Sequence, residues 1–282
     1  MNPESLVEKV EDLSVPAPSV VKLLNLLNDE EIDNAAVVEV VRSDSVLSAK
    51  LLALANSAFF APPTPIESVD EALFYLGYEQ VHRIAIAVGL SGVMNRHAAA
   101  YAMDEGEFWR HSLMTAKAAE LISETMQHVA SVSVGYTAGL VHDIGKLVLN
   151  QVLAPESQAA VARVIEERGS AGVAAERSIL GTNHAEVGAF LLKKWNLPEE
   201  IIDAVKNHHA TPVGNAPRLS AIVSLADAIA HSAASTPGSV SPEMEKTLFR
   251  VLNVDQSKYE EFLGQTAEAL AQIETLSDVG RR

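Results

Sequence analysis

The chain has 282 residues, of which 48% are hydrophobic and only 5% aromatic, so it is a folded protein and not a disordered one. It contains no cysteine, which excludes disulfides, thiolate metal sites and a cysteine nucleophile. The formal net charge of −16 disfavours nucleic-acid binding, because an acidic surface repels a phosphate backbone.

Apolar residues recur at helical spacing along nearly the whole chain, and Ala, Leu and Val provide most of them, which predicts an all-α protein. The first helix follows the proline pair of residues 16–18, and further helices are predicted over 33–42 and 44–57. Prolines between residues 62 and 65 prevent a helix from continuing there. Ser68 and Glu71 form a capping box that opens the next helix, and after Gly77 an apolar helix runs to about Met94. Residues 1–100 are therefore predicted to form an N-terminal helical lobe.

The second half has the same helical pattern, and residues 101–235 are predicted to form a second lobe. Asn183 and Glu186 make another capping box. The predicted helices of this lobe cover 105–127, 132–141, 156–168, 171–180, 184–195, 199–209 and 217–234. After a turn at 235–241, residues 236–282 form a C-terminal extension with helices over 242–253 and 256–276. These two helices are expected to pack on the body of the protein or to supply a dimer surface.

No stretch is long enough for a membrane span, since the longest apolar run, around 84–93, is about half the length required. The N-terminus lacks the basic and apolar regions of a signal peptide. A cytoplasmic location is therefore expected.

Histidines and acidic residues of the second half are candidates for a divalent-metal site, because imidazole and carboxylate groups are its usual ligands. Glu107 lies one helical turn before His111, and Lys146 lies four residues after His142 and could reach the same cleft. Gly145 allows close backbone packing beside them. The candidates occur in the order His111, His142, Asp143, His184, His208, His209 and Asp227.

Each candidate also has a structural interpretation. His142 and Asp143 could be a helix-terminus pair, with the histidine near the negative end of the helix dipole. Asp227 sits on an apolar helix and needs a partner, which could be a metal or His231 one turn later. His184 could be a first-turn residue, and His209 could be solvated. The histidines without motif support, which are expected to be structural or superficial, are His82, His97, His128 and His231.

The sequence motifs resemble those of the HDOD branch of the HD metal-dependent phosphohydrolase superfamily, which comprises all-helical signalling proteins of bacteria. The resemblance extends from about Val15 to Ala230. In the first half it rests on residues 16–18, 51–57 and 71–77. In the second half it rests on Phe108-Trp109-Arg110-His111-Ser112, Gly139-Leu140-Val141-His142-Asp143-Ile144-Gly145-Lys146, Asn183-His184-Ala185-Glu186-Val187-Gly188, Trp195-Asn196-Leu197-Pro198 and His208-His209.

The resemblance implies a role for each matching residue. A first metal would be held by His111, His142, Asp143 and Asp227. A second metal would be held by His184, His208 and His209, and Glu107 could join a larger cluster. Lys146 would contact substrate phosphate. The residues after His209 contain no Gly-Tyr-Pro signature, so the resemblance does not extend to cyclic-dinucleotide hydrolysis.

Two functions follow from the resemblance. The first is a bacterial signal-transduction protein with an HD-type metal site, acting mainly by binding a ligand or a protein. The alternative is a metal-dependent phosphohydrolase for a phosphomonoester or nucleotide phosphodiester, in which Asp143 and Lys146 take part in the chemistry. Either function implies one or two divalent ions, among which the sequence does not separate Fe, Mn, Mg and Zn. Protein partners, a nucleotide or phosphoester ligand and a homodimer are the expected assemblies.

Overall fold

The structure is a computed structural model. It describes residues 2–10, 16–28, 33–96, 98–101, 103–104, 106–168, 172–212, 218–234 and 240–269. Within these ranges the chain is all-α, with short 3₁₀ helices and no β-strand, as the sequence predicts. No helix in this part of the chain is both long and apolar enough to cross a membrane.

The first half folds into helices close to the predicted positions. They are α1 (Pro3–Val7), α2 (Pro18–Asn25), α3 (Asn34–Ser43), α4 (Ser45–Ala55), α5 (Val69–Leu76) and α6 (Tyr78–Met94). The side chains of Asp33 and Asp44 accept hydrogen bonds from the first backbone N–H groups of α3 and α4, which fixes where these helices begin. Helix α1 was not predicted, because five residues are too few to show a helical period.

The second half contains one helix that the sequence analysis missed. Its helices are α7 (Glu107–Thr125), α8 (Val132–Val141), α9 (Ile144–Val152), α10 (Pro155–Arg168), α11 (Gly172–Leu180), α12 (His184–Lys194), α13 (Glu199–Asn207), α14 (Leu219–Ala233), α15 (Pro242–Leu252) and α16 (Gln256–Glu268). The missed helix is α9, which follows α8 with no intervening loop and has no side-chain cap at Asp143. Part of the helix predicted over 256–276 lies outside the described residues.

The two predicted capping boxes are each half formed. The Ser68 hydroxyl accepts a hydrogen bond from the Glu71 N–H at 3.2 Å, but the Glu71 carboxylate accepts from the N–H of Glu67 instead of Ser68. The Asn183 side chain accepts from the Glu186 N–H at 2.9 Å, while the Glu186 carboxylate bonds other side chains. The serine and asparagine caps are sufficient to start both helices.

Helix α7 is at the centre of the second half. It packs against α8 and α14, while α12 packs against α9 and α13. Trp109 on α7 and Trp195 after α12 are buried, as expected for core residues. Helix α15 packs on α14, and α16 packs on both α14 and α7. The described part of the predicted C-terminal extension is therefore attached to the body of the protein.

Helix α6 is at the centre of the first half, where α2, α4 and α5 pack against it. The same helix contacts α7 and α8, so the first half and the second share packed side chains. Helix α1 contacts α9 and α12, which belong to the second half. The division of the chain at residue 100 stays a prediction.

A buried ion pair connects α6 to α7. The guanidinium of Arg83 lies 3.1 Å from the Glu120 carboxylate, and both side chains are at least nine-tenths buried. Lys117 contacts the other oxygen of Glu120 at 3.0 Å. The ion pair therefore connects a helix of the first half to a helix of the second half.

Candidate metal centre

Six helices bring the predicted ligands together. His111 lies on α7 and Asp227 on α14. His142 and Asp143 occupy the junction between α8 and α9. His184 is the first residue of α12, while His208 and His209 follow α13 directly. The resulting cluster of these seven residues is called the His/Asp cluster below.

Asp143 is at the centre of the His/Asp cluster, and its two oxygens face different histidines. Oδ2 lies 3.3 Å from Nε2 of His142 and 3.8 Å from Nε2 of His111. Oδ1 lies 3.1 Å from Nε2 of His184 and 3.8 Å from Nε2 of His208. A single carboxylate is thus shared between two groups of imidazoles.

The first group consists of His111, His142 and Asp227, whose ligand atoms lie within 4.8 Å of one another. Oδ1 of Asp227 is 3.1 Å from Nε2 of His111 and 3.6 Å from Nε2 of His142. All three side chains are buried. Together with Oδ2 of Asp143, they provide two imidazoles and two carboxylates for one divalent ion.

The second group consists of Asp143, His184, His208 and His209, whose ligand atoms also lie within 4.8 Å of one another. The Nε2 atoms of His184 and His209 are 2.9 Å apart. His209 is only partly buried, so this group lies nearer the solvent than the first. Three imidazoles and one carboxylate oxygen suit a second ion of the same kind.

Main-chain carbonyls orient two of these imidazoles. Nδ1 of His142 is 2.8 Å from the Gly139 carbonyl oxygen, and Nδ1 of His208 is 2.6 Å from the Val205 carbonyl oxygen. Since a carbonyl only accepts, each Nδ1 must donate its N–H, which leaves Nε2 as the nitrogen able to ligate a metal. Both Nε2 atoms face the interior of the His/Asp cluster, as metal ligation requires.

Both carboxylates of the His/Asp cluster are ionised. Burial opposes the charge of Asp143, but the neighbouring His142 and Lys146 outweigh it and hold the pKa of Asp143 well below its usual value. Burial likewise opposes ionisation of Asp227, yet the adjacent imidazoles of His111 and His142 keep its pKa well below normal. Two buried negative charges this close together need cationic partners.

The histidines divide into two classes by pKa. Burial and the neighbouring imidazoles lower the pKa of His208 to about 3, and the same causes hold the pKa of His209 well below normal. Burial also opposes the charged form of His142, but the two aspartates outweigh it and raise its pKa to about 10. The pKa of His184 is raised despite burial, chiefly by Glu176. The neutral imidazoles are ready to ligate, and each protonated one would release its proton to solvent when a metal binds.

The unsatisfied polar atoms show that a cation fits here. Five buried atoms that point into the His/Asp cluster form no hydrogen bond within the described part of the chain. They are the Nε2 atoms of His111, His142 and His208 and the Oδ1 atoms of Asp143 and Asp227. A buried polar atom without a partner costs free energy, so their convergence is the arrangement expected of metal ligands.

Comparison with known proteins identifies the family. The HDOD domain family model matches residues 13–211, which is more than half of the chain. The chain belongs to the HDOD domain family. This confirms the resemblance described from the sequence motifs and the all-α fold that it implies.

Relatives of this HDOD protein are distant. An uncharacterized protein of Treponema pallidum (strain Nichols) is 23% identical over 208 residues, which cover 74% of this chain and 40% of that protein. The chain spans less than half the length of the curated relatives it matches.

Solved structures with the same fold are also known. An HDOD domain protein of unknown function from Geobacter sulfurreducens is 24% identical, with a TM-score of 0.75 and coverage of 98% of this chain and 97% of that one. A candidate phosphohydrolase from Shewanella amazonensis SB2B is 23% identical, with a TM-score of 0.70 and the same coverages. Both similarities show the fold alone.

A close approach of two helices places Asp143 beside His184 in the HDOD chain. A Cβ atom added at Gly145 would lie 1.9 Å from the His184 carbonyl oxygen and 2.6 Å from the Gly188 nitrogen. Only glycine therefore permits α9 and α12 to lie at this separation. The close packing expected at Gly145 is present.

Lys146 lies at the rim of the His/Asp cluster. Its ammonium donates to Oδ2 of Asp143 and lies 5.4 Å from the centre of the Tyr101 ring. Burial opposes its charge, but Asp143 and Asp227 outweigh it and raise the pKa of Lys146. The side chain is 14% exposed, so the ammonium remains within reach of a ligand entering from solvent.

Glu107 is the one predicted ligand that the structure places elsewhere. Its side chain is exposed, and its carboxylate accepts a hydrogen bond from the Asp104 N–H at 2.8 Å. As the first residue of α7, it carries its negative charge at the positive end of the helix dipole. The four-residue spacing to His111 places it on the correct side of the helix but one turn beyond the His/Asp cluster.

The histidines without motif support have different positions. His82 is buried in the first half, and its Nε2 donates to the Leu23 carbonyl at 3.0 Å. His128 is exposed, and His97 lies outside the described residues. His231, however, lies beside the His/Asp cluster, with Nε2 3.5 Å from Oδ1 of Asp227. Its position one turn after Asp227 was the sequence signal for this contact.

Two further residues, Glu176 and Tyr101, support the site and were not predicted from the sequence. The Glu176 carboxylate is 2.8 Å from Nδ1 of His184, and the Tyr101 hydroxyl donates to the same carboxylate at 2.6 Å. Glu176 on α11 is eight residues before His184, and Tyr101 lies in a 3₁₀ helix before α7. No short spacing links them to the motif, so only the fold shows the contact.

Proposed function

We propose that this HDOD protein binds two divalent metal ions in the His/Asp cluster and hydrolyses a phosphoester there. The observation that supports the proposal is the division of Asp143 between two ligand groups, each of which already has its own histidines. A carboxylate buried between two such groups is expected where two ions share one ligand. The Shewanella relative, a candidate phosphohydrolase, has the same fold.

The residues divide into two metal positions. The first would use His111, His142 and Asp227, and the second would use His184, His208 and His209, with Asp143 common to both. When bound, a pair of divalent ions supplies Lewis acidity toward phosphoryl oxygens and a nucleophile at neutral pH. The mixture of imidazole and carboxylate ligands suits Mn, Fe or Zn better than Mg, which prefers oxygen ligands.

Lys146 would bind the phosphoryl group of the substrate. Its raised pKa keeps the ammonium charged, and its side chain is partly exposed while it contacts Asp143. A phosphate oxygen that reaches Nζ would be held by a charge-assisted hydrogen bond. The same interaction would stabilise negative charge that develops on the phosphoryl oxygens during hydrolysis.

The test measures metal content and hydrolysis in the same preparations. Protein purified without a metal-affinity column is analysed for metals and assayed with p-nitrophenyl phosphate and bis(p-nitrophenyl) phosphate, with and without added Mn²⁺. The His142→Ala/Asp143→Ala variant should lose metal and activity while its far-UV circular dichroism stays nearly unchanged. The matched control is His128→Ala, which removes an exposed histidine outside the His/Asp cluster. Full metal content in the double variant would contradict the assignment.

Lys146→Ala separates ligand binding from metal binding. We expect hydrolysis to fall at least about a hundredfold, as when one charge-stabilising donor is removed. Metal content should stay close to that of the wild type. Equal losses of both would assign Lys146 to the structure of the metal site.

A signalling function by ligand binding uses the same residues and is favoured by the depth of the site, since most of its ligands are buried. In that case a metal-loaded protein would bind inorganic phosphate or a nucleotide without turning a phosphoester over. Isothermal titration with phosphate and with adenosine monophosphate therefore accompanies the assay. Binding in a Lys146-dependent manner without turnover would assign the protein to ligand sensing.

Protein partners and a homodimer stay predictions. On the first half of the chain several large apolar side chains are exposed, among them Val46, Phe74 and Tyr78. The Phe74 side chain is 95% exposed. Sedimentation equilibrium of the wild type and of Phe74→Asp tests self-association through the surface around Phe74. A dimer that dissociates in the variant would support the homodimer, and a monomer in both would exclude it.

A further inference from the structure

One fully buried carboxylate outside the His/Asp cluster accepts three hydrogen bonds, two of them from a single predicted metal ligand. Glu176 accepts from the His184 main-chain N–H at 2.8 Å and from the His184 imidazole, whose Nδ1 lies 2.8 and 2.9 Å from its two oxygens. The third donor is the Tyr101 hydroxyl at 2.6 Å. None of these groups is among the predicted ligands except His184 itself.

We propose that Glu176, held by Tyr101, is a positioning residue that orients His184 as a ligand of the second metal position. The inference rests on the proposed function, because it requires that a metal bind to this second group. It goes further because it distinguishes the two metal positions: Glu176 supports metal binding at the second position and does not affect binding at the first.

His184 needs a side-chain partner that His142 and His208 do not need. His142 and His208 end their helices, so each Nδ1 donates to the carbonyl of the residue three positions earlier, Gly139 or Val205. His184 begins α12, where no carbonyl of a preceding helical turn is available to its imidazole. The Glu176 carboxylate takes that place.

The charge of Glu176 adds to its geometric role. A carboxylate that accepts the Nδ1–H of an imidazole fixes the tautomer with the lone pair on Nε2 and makes that nitrogen more basic. Nε2 of His184 lies 3.1 Å from Oδ1 of Asp143 and 2.9 Å from Nε2 of His209, so it faces the other ligands of the second group.

Tyr101 connects this arrangement to the rim of the site. Its hydroxyl donates to Glu176, and its ring lies 5.4 Å from the Lys146 ammonium. The 3₁₀ helix that carries it, Ala99–Tyr101, is held by a hydrogen bond from the Ala100 N–H to the Asn150 side chain on α9. Tyr101 thereby helps to orient Glu176 through a donor separate from His184.

The experiment is a calorimetric titration of the metal-depleted full chain with Mn²⁺. The wild type should bind two equivalents. Glu176→Gln replaces an acceptor oxygen by an NH₂ group that faces donors, so the second equivalent should weaken 10- to 100-fold. The first equivalent, at His111, His142 and Asp227, should keep its affinity. Tyr101→Phe removes one hydroxyl and should weaken the second equivalent less than tenfold.

The matched control is Asp44→Asn in the first half of the chain. Asp44 also accepts three hydrogen bonds, from the Ser19 hydroxyl and from the N–H groups of Val46 and Leu47. Loss of the Asp44 carboxylate should change the affinity of neither Mn²⁺ equivalent. Circular dichroism checks that each variant is folded. If Glu176→Gln does not fold, Tyr101→Phe still tests the positioning role.

The outcomes separate this inference from the proposed function. A wild-type chain that binds no Mn²⁺ would contradict the proposed function itself. Two equivalents in the wild type with unchanged affinities in both Glu176→Gln and Tyr101→Phe would overturn the positioning role alone. Equal weakening of both equivalents in a folded Glu176→Gln would also overturn it, because the effect would not be confined to the second position.

Discussion

The first half of the chain buries mainly apolar side chains and pairs its buried Arg83 with Glu120, whereas the second half also buries the carboxylates of Asp143 and Asp227 among imidazoles. Around α6 the core consists of residues such as Leu23, Leu51 and Leu54, none of which is exposed. Around α7 and α14 the core contains a similar set of apolar residues together with Asp143 and Asp227. Apolar burial stabilises a fold without further partners, but a buried carboxylate is costly unless a cation accompanies it. The stability of the second half should therefore depend on what is bound there.

Histidine shows the same difference at the level of one residue type. Burial lowers the pKa of His82, which lies among apolar neighbours of the first half. His142 is also buried, yet its two aspartate neighbours raise its pKa to about 10. The surroundings of a buried imidazole, and not burial alone, decide whether it carries a proton.

Leu54→Ala should produce the largest effect and should act on stability alone. The fully buried side chain leaves a cavity in the first half, and the free energy of unfolding should fall by about 2–5 kcal/mol. Urea denaturation measures the loss, and metal analysis of the same variant should show an unchanged content. Loss of metal would mean that the two halves do not respond separately.

Metal removal should act in the opposite way, through the second half. At a metal concentration about 100 times the dissociation constant, binding should contribute about 2.7 kcal/mol to stability. EDTA should therefore lower the melting temperature of the wild type. The same treatment should leave the melting temperature of His142→Ala/Asp143→Ala unaltered. An equal shift in both proteins would indicate that the stabilising metal binds elsewhere.

Gly145→Ala should cost about 1–3 kcal/mol, because its Cβ meets backbone atoms of α12 that cannot rotate away. Because the added Cβ would push α9 away from α12, Gly145→Ala should also weaken metal binding at the second position. Gly92→Ala is the control, since Gly92 lies in the interior of α6 with nothing within 4 Å of an added Cβ. That substitution should be neutral or stabilise the helix by up to about 1 kcal/mol. Thermal melts and Mn²⁺ titration compare the two variants.

His82→Gln should give the smallest effect, confined to acidic pH. Since burial lowers the pKa of His82 in the folded protein, the unfolded chain binds its proton first as pH falls. The stability contributed by neutral His82 is present above about pH 6.5 and is lost as pH falls toward the folded-state pKa. In EDTA, the melting temperature of the wild type should therefore fall more between pH 7.5 and 5.5 than that of the variant. Parallel curves would contradict the assigned direction of the pKa shift.

Much of the fold was predictable because its signals are local. Asp33, Asp44 and Ser68 cap helices within three residues of themselves, and apolar periods define the helices that follow. Helix α9 was missed because Asp143 makes no side-chain cap and α8 precedes it directly. Its first turn has no sequence signal of its own, and its contact with α12 is a tertiary one.

The His/Asp cluster was predictable to the extent that its ligands lie within motifs. His142-Asp143 and His208-His209 are adjacent pairs, and the family resemblance relates them to His111, His184 and Asp227. Glu107 was misplaced because a four-residue spacing gives the side of a helix but not the depth at which it is buried. Glu176 was missed because its contact with His184 depends on how the chain turns between α11 and α12.

The sequence by itself determined the helical class, most helix boundaries and the set of residues able to ligate a metal, since these follow from local periodicity, capping and residue chemistry. Only the tertiary structure decided which oxygen of Asp143 faces which histidines, that His231 adjoins Asp227, and that Glu176 and Tyr101 support His184. These contacts depend on side chains from different helices meeting within hydrogen-bond distance. The approach of α9 to α12 at Gly145 sets that distance, and one-dimensional spacing does not encode it.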